Sequence, residues 1–296
     1  MLSGDFPFRK VAILGTGLMG GSLAGALKAL PVPPEVIGTT VSSDDRVLAL
    51  ERGWVDRFAD SNESAVAGVD LAVIAVPPQA VPRVWGEIVG PLPPSAIVTD
   101  LSSVKGSLYE LYRTSFSALL PLYTSSHPMA GSERTGIASA RSDLFSGRTV
   151  FLTPFGSEKN TLLPLVRLWQ ALGANTVPVS PADHDGIVAH ISHLPHALSY
   201  CLLNLAEKVR QENRYPGFDW KTQKGGSFSD ILRIAKSSPE LWADIFFQNR
   251  TAILDAIESF DREMGVLRET LRRGEPGTLV RLLSEWTAPL SGGNPP

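Results

Sequence analysis

Residues 124–136, T-S-S-H-P-M-A-G-S-E-R-T-G, bring together a titratable ring, hydroxyls, small residues and both signs of charge. His127 is one of only five histidines, and Pro128 behind it biases its backbone away from helix. Ala130, Gly131 and Ser132 let a ligand or another backbone come close, with Glu133 and Arg134 beside them. An imidazole titrates near neutral pH and suits general-base work. On a loop at the end of a strand it sits where α/β enzymes put chemistry. A capping or solvent-facing histidine accounts for the same residues, and both readings stay open at this point.

The elements that must position such a ring begin at the N-terminus. Residues 9–14 (R-K-V-A-I-L) read as a buried parallel strand running into G-T-G-L-M-G-G-S, with an apolar helix over 21–30. Gly15, Gly17 and Gly20 have the G-x-G-x-x-G spacing. Its first glycine makes the turn, its second lets a pyrophosphate approach, and its third lets helix pack on strand. Leu18 and Met19, between the second and third glycines, are counted among the cofactor-binding residues, and the free N–H groups at the start of the helix face the phosphates. A glycine-rich turn without a ligand is the alternative. A second strand over 35–41 should end on the residue that reads the adenosine ribose, where an acid favours NAD. That acid is missing or displaced to Asp44–Asp45. Thr40 and Ser42 stand there instead, neither repels a 2′-phosphate, and Arg46 follows, so NAD and NADP both stay open.

Strands are expected over 70–76 and 96–101. The first delivers Val76 and Pro77 to the cofactor edge, and the second delivers S-S-V-K-G. Ser102 and Ser103 can cap a helix or contact a ligand, roles that are compatible. Edge strands over 148–153 and 175–179 flank a helix over 157–172, which completes a doubly wound α/β domain over 1–181.

From Asp183 the period becomes helical, giving an all-α unit over 182–290 and a disordered tail over 291–296. Four histidines fall early in it: His184, His190, His193 and His196. The last three recur every third residue along one broad side of a helix, which Pro195 should kink by freeing the Ile191 carbonyl. No i, i+4 histidine pair with a carboxylate accompanies them, so no metal is expected. Satisfied buried histidines are the alternative to a site wall. A loop over 211–226 leads to a helix on which Asp230 and Arg233 share a face, and amphipathic helices follow to Arg273.

The composition is that of an ordinary globular chain, 43% hydrophobic and 19% charged over 296 residues. A net charge of −3 offers no footprint for nucleic acid or an anionic membrane. Cys201 is the only cysteine, which rules out an intramolecular disulfide. The first ten residues lack a signal-peptide core, and no apolar run could span a bilayer, so a cytoplasmic protein is expected.

Taken together, G-T-G-L-M-G-G-S, S-S-V-K-G, H-P-M-A-G-S-E-R-T-G, S-H-L-P-H and F-S-D-I-L-R-I-A-K-S-S-P-E-L-W-A-D-I resemble the prephenate/arogenate dehydrogenases of tyrosine biosynthesis, from about Val11 to Arg273. The resemblance implies a Rossmann domain followed by a helical dimerisation domain, hence a homodimer. It implies oxidative decarboxylation of prephenate to 4-hydroxyphenylpyruvate with NAD or NADP, arogenate being the alternative substrate. It assigns His127 as the catalytic histidine taking the ring hydroxyl proton and Ser103 as the serine bonding that hydroxyl. Arg233 holds a substrate carboxylate, His196 lies near the substrate side chain, and Ser132 and Glu133 shape the substrate end. Ser192 and Trp242 are further substrate contacts in that pattern. With no regulatory domain expected beyond the helices, tyrosine feedback should act near the active site. A β-hydroxyacid dehydrogenase would need a lysine where this chain has none until Lys208, and a dinucleotide sensor without turnover is the non-enzymatic alternative.

Overall fold

Apolar runs that end at glycine, proline or a capping residue become the strands of a parallel sheet. The computed structural model describes residues 6–131 and 134–291. In chain order come β1 (Lys10–Leu14), α1 (Leu18–Lys28), β2 (Glu35–Thr39), α2 (Ser43–Glu51), β3 (Arg57–Phe58), α3 (Asn62–Ala65), β4 (Leu71–Ile74), α4 (Val81–Ile88) and β5 (Ile97–Asp100). These strands form one parallel sheet in the order β3-β2-β1-β4-β5. Every residue of β4 and β5 is buried, as expected of strands covered on both faces.

After α5 (Gly106–Leu111), a second sheet is built from β6 (Thr124–Pro128), β7 (Thr149–Pro154) and β8 (Asn175–Pro178), with α6 (Glu158–Ala171) between the last two. A parallel bridge from Val98 to Tyr123 brings it beside β5. Here the structure departs from expectation. His127 lies within a strand, not on a loop, and pairs with Phe151 across an antiparallel ladder. The strand over 149–154 is central rather than an edge, because β6 takes the place beside it. β2 stops at Thr39, leaving Thr40 and Val41 outside the sheet.

The remainder is helical: α7 (Pro181–Val188), a π turn over Ala189–His193, α8 (Leu194–Gln211), α9 (Trp220–Gln223), α10 (Gly226–Ala235), α11 (Pro239–Gln248), α12 (Arg250–Arg273) and α13 (Pro276–Thr287). Ser180 caps α7, with Pro181 at its first position. The expected irregularity near Pro195 is the π turn, and the proline falls in the first turn of α8. The packing differs sharply between the two halves. Two large buried clusters fill the N-terminal sheets, whereas the helices enclose only two small ones, around Ile253 and around Trp242. No helix among the described residues is long and apolar enough to cross a membrane.

Candidate active site

The glycine turn is shaped to keep its outer side open. Gly15 has φ +100°, and a Cβ on it would meet the Ala75 carbonyl oxygen at 2.7 Å, with Val76 beside it. A Cβ on Gly20 would lie 2.0 Å from the Gly15 oxygen, so α1 can approach β1 only with glycine there. Gly17 caps α1 without a side chain, and a Cβ on it would meet nothing within 4 Å. Open space at Gly17, with the first-turn N–H groups of Leu18 and Met19 behind it at the start of α1, suits a pyrophosphate, so these residues fit a dinucleotide.

Beside it, Thr39 O accepts from Gly15 N and Thr16 N, both at 3.1 Å. Thr40 Oγ1 accepts from Ser42 N at 3.1 Å, and Ser42 Oγ caps α2 through Asp45 N at 3.1 Å. Arg46 lies over the Phe58 ring at 5.4 Å. Asp45 is turned elsewhere: its Oδ1 accepts from Ile137 N at 3.1 Å. From the other end of α2, Arg52 donates to the carbonyls of Ile137 at 2.9 Å and Ala140 at 3.4 Å while packing over Trp54. One helix thus grips both sides of the short turn Ile137–Ser139, just past the histidine segment.

A buried ion pair joins β5 to β6. Asp100 Oδ1 accepts from Lys105 Nζ at 3.1 Å and Ser102 N at 2.8 Å; its Oδ2 accepts from Tyr123 Oη at 2.6 Å and from Ser125 Oγ. Lys105 Nζ also donates to the carbonyls of Ser102 at 2.7 Å and Ser126 at 3.0 Å. Burial alone would raise the Asp100 carboxyl, but Lys105 and these donors hold it below its ordinary value. The network fixes the loop carrying Ser102 and half-buried Ser103 against the strand carrying His127. Ser102 Oγ is buried without a hydrogen-bond partner among the described residues, and Pro77 is exposed at the neighbouring β4 edge.

His127 is 8% exposed. Its Nδ1 lies 2.8 Å from His184 Nε2, and His184 Nδ1 lies 2.8 Å from Asp185 Oδ1. Asp185 also accepts from Lys105 N at 2.9 Å and Gly106 N at 2.8 Å. Burial, then the neighbouring His184, Lys105 and His193, hold His127 well below the usual histidine range. Burial lowers His184 as well, against the opposing pull of Asp185.

His193 is fully buried and pushed down to about 4 by burial, with Asp185 opposing. Asn249 Nδ2 reaches both His193 Nδ1 at 3.1 Å and Asp185 O at 2.9 Å. His196 stacks on Trp242, with centroids 3.6 Å apart, and its Nδ1 donates to Ser192 O at 2.9 Å. Burial lowers His196, and the charge of Arg233, exposed on α10, lowers it further.

The structure therefore groups His127, His193, His196 and Trp242, with Trp242 packed against Val104, the residue after Ser103. The expected common side of three histidines does not form, because the π turn changes their spacing. His190 is exposed and bonds Gly186 O at 2.9 Å. Ser132 and Glu133 lie outside the described residues. Among the described residues, no group of three His, Cys, Asp or Glu is arranged to hold a metal ion. Sequence reasoning missed the roles of His184, Asp185 and Asn249. The one available signal was the adjacency of histidine and aspartate at 184–185; nothing local ties them to a ring 57 positions away.

Compared with known proteins, residues 23–178 match the family described as prephenate dehydrogenase, nucleotide-binding domain, and residues 180–285 match its dimerization domain. A prephenate dehydrogenase of Bacillus subtilis is 32% identical over 273 residues, covering 92% of this chain and 72% of that protein. The crystal structure of prephenate dehydrogenase from Aquifex aeolicus with hydroxyphenyl propionate and NAD+ superposes with a TM-score of 0.86 at 30% identity, covering 97% of this chain and 99% of that one. The arogenate dehydrogenase of Synechocystis gives 0.78 at 27% identity, with 95% and 99% covered. The two family matches between them take in both the sheet and the helices around His127, and the chain belongs to the prephenate dehydrogenase family as a dehydrogenase that uses a nicotinamide dinucleotide.

Proposed function

We propose that this protein converts prephenate to 4-hydroxyphenylpyruvate by oxidative decarboxylation, as a homodimer of a chain whose two domains span 1–181 and 182–290. The observation that carries the reading is His127 itself. Burial keeps its ring neutral, and its Nδ1 is engaged by His184, which leaves Nε2 to take a proton. In this reading Nε2 accepts the proton of the ring hydroxyl while Ser103 Oγ bonds the same oxygen. Arg233 offers a planar fork to a carboxylate of the dianionic substrate, and the His196–Trp242 stack lines its side-chain end with Ser192. The family resemblance gives Ser132 and Glu133, outside the described residues, the role of shaping that end. Loss of carbon dioxide makes the ring aromatic, so the reaction carries its own driving force.

Gly15, Gly17, Leu18, Met19, Gly20, Val76, Pro77 and Ser102 are the residues that would hold the dinucleotide, which supplies the two-electron acceptor when bound. The end of β2 has the hydroxyls of Thr40 and Ser42 and no carboxylate, with Arg46 nearby, an arrangement compatible with NAD and with the extra phosphate of NADP. Dimerisation is supported by the helices. Neither α10 nor α13 buries a single residue, and α12 buries only Ile253 and Ala256. The name of the Bacillus subtilis relative supports prephenate over arogenate.

Initial rates for NAD and NADP against prephenate and arogenate test the reading. Prephenate is expected to give the higher kcat/KM; a higher value for arogenate overturns the substrate. His127→Asn should retain dinucleotide binding and lose on the order of 100- to 10,000-fold in kcat.

A further inference from the structure

We propose that His184 and Asp185 are positioning residues that set the tautomer of His127 and take up the positive charge when its ring is protonated. The proposal rests on His127 being the base. Asp185 accepts three hydrogen bonds in this region. Its Oδ1 faces Lys105 N at 2.9 Å and His184 Nδ1 at 2.8 Å, and its Oδ2 faces Gly106 N at 2.8 Å. The two backbone groups can only donate, and a carboxylate can only accept, so the proton between Asp185 and His184 belongs to His184 Nδ1. His184 Nε2 then carries a lone pair and can only accept. The 2.8 Å contact to His127 must therefore be donated by His127 Nδ1, which leaves the lone pair of His127 on Nε2. The tautomer of the base is decided two side chains away.

The same chain can move charge. When the O–H bond of the substrate breaks and an Nε2–H bond forms on His127, that ring becomes an imidazolium in a buried site. Transfer of its Nδ1 proton across the 2.8 Å contact to His184 Nε2 breaks one N–H bond and forms another. His127 is neutral again, and the positive charge lies against the Asp185 carboxylate. Reversal after product leaves returns the proton through His127 to water, and no further reactant is needed.

The charged and titratable neighbours agree with this direction. Lys105, from the loop after β5, faces both rings but is paired with Asp100. His193, from the π turn, is held neutral by burial, and Asn249 Nδ2 donates to its Nδ1. Asp185 is thus the one acid in direct contact with either ring of the relay among the described residues. Through Lys105 N and Gly106 N it also fixes the loop that carries Ser103, so one carboxylate aligns both groups that meet the hydroxyl. Space is tight there: a Cβ on Gly106 would stand 2.9 Å from Asp185 Oδ2.

Two measurements test the relay. The first needs no substitution in the observed protein: ring ¹⁵N NMR of histidine-labelled wild type at neutral pH, assigned with His127→Asn and His184→Gln. Both His127 and His184 should carry their proton on Nδ1; a His127 protonated on Nε2 overturns the proposal. The second uses Asp185→Asn and His184→Gln. Each should lower kcat on the order of 100-fold while KM and dinucleotide affinity stay within about threefold. In Asp185→Asn the acid limb of the kcat/KM profile should move to lower pH, because the charge that favours the protonated pair is gone. Wild-type kcat with an unmoved limb in either variant, or a loss confined to KM, overturns the relay. Full activity in His127→Asn would instead sink the reading of the base.

Discussion

His196 lies flat on Trp242 and gives its Nδ1 proton to a backbone carbonyl, so the nitrogen it can turn toward a ligand is an acceptor. Next to it, Arg233 is exposed and supplies charge without being buried for it. If that guanidinium grips a carboxylate in both ground and transition states, Arg233→Ala should raise substrate KM about 10- to 100-fold and change kcat little. Steady-state kinetics with saturating dinucleotide decide it, and a defect in kcat alone removes the assignment. At this scale His127, Ser103 and Arg233 could be picked out as candidates, since each is a reactive type within a local sequence motif. His184 and Asp185 were not. What makes them matter is contact with a distant strand and with two backbone amides, and neither leaves a mark on neighbouring residues.

Strand β6 shows why one element escaped while its neighbours did not. Its residues are Thr124, Ser125, Ser126, His127 and Pro128, all buried, and hardly an apolar group among them. It is held by hydrogen bonds from side chains: Thr124 to Thr161 at 2.6 Å, Ser126 to Thr99 at 2.8 Å and to Trp169 Nε1 at 3.1 Å. A polar strand stable only because every hydroxyl finds a buried partner has no hydrophobic period to read. Helix α13 was passed over as well, although Gly274 in the left-handed conformation and Pro276 at the first helical position mark the break before it. The glycine spacing, by contrast, was legible, although α1 begins at Leu18 rather than at 21, and the turn separates two kinds of substitution. Gly17→Ala meets no atom of the protein, so its melting temperature should stay within a degree or two while dinucleotide affinity falls about tenfold or more. Gly20→Ala must push α1 off β1 and should cost several kcal/mol, seen as a lower denaturation midpoint even without cofactor.

Taken whole, the molecule keeps His127, His184 and His193 uncharged inside the fold. Unfolded histidine gains a proton near pH 6.5, whereas folded His193 does so only at about 4. The unfolded state thus binds more protons in that window, and stability, complete above pH 6.5, is lost as the pH falls toward 4. His193 alone should remove about 2 kcal/mol between pH 7.5 and 5. Urea unfolding at the two pH values measures this, and His193→Asn should shrink the difference; an unchanged difference refutes it. Leu205, Phe247, Leu254, Leu271 and Val280 are exposed on the helices, and sedimentation equilibrium should find two chains per particle. A monomer would count against the dimer. Helix α2 follows the strand expected to meet the adenosine ribose, yet Asp45 and Arg52 hold the turn just past the substrate segment. One helix therefore links the end of β2 to the backbone just past the histidine strand. Redesign confined to Thr40 and Ser42 should change cofactor preference alone, whereas replacing α2 wholesale would disturb the 137–140 turn and retune substrate preference with it.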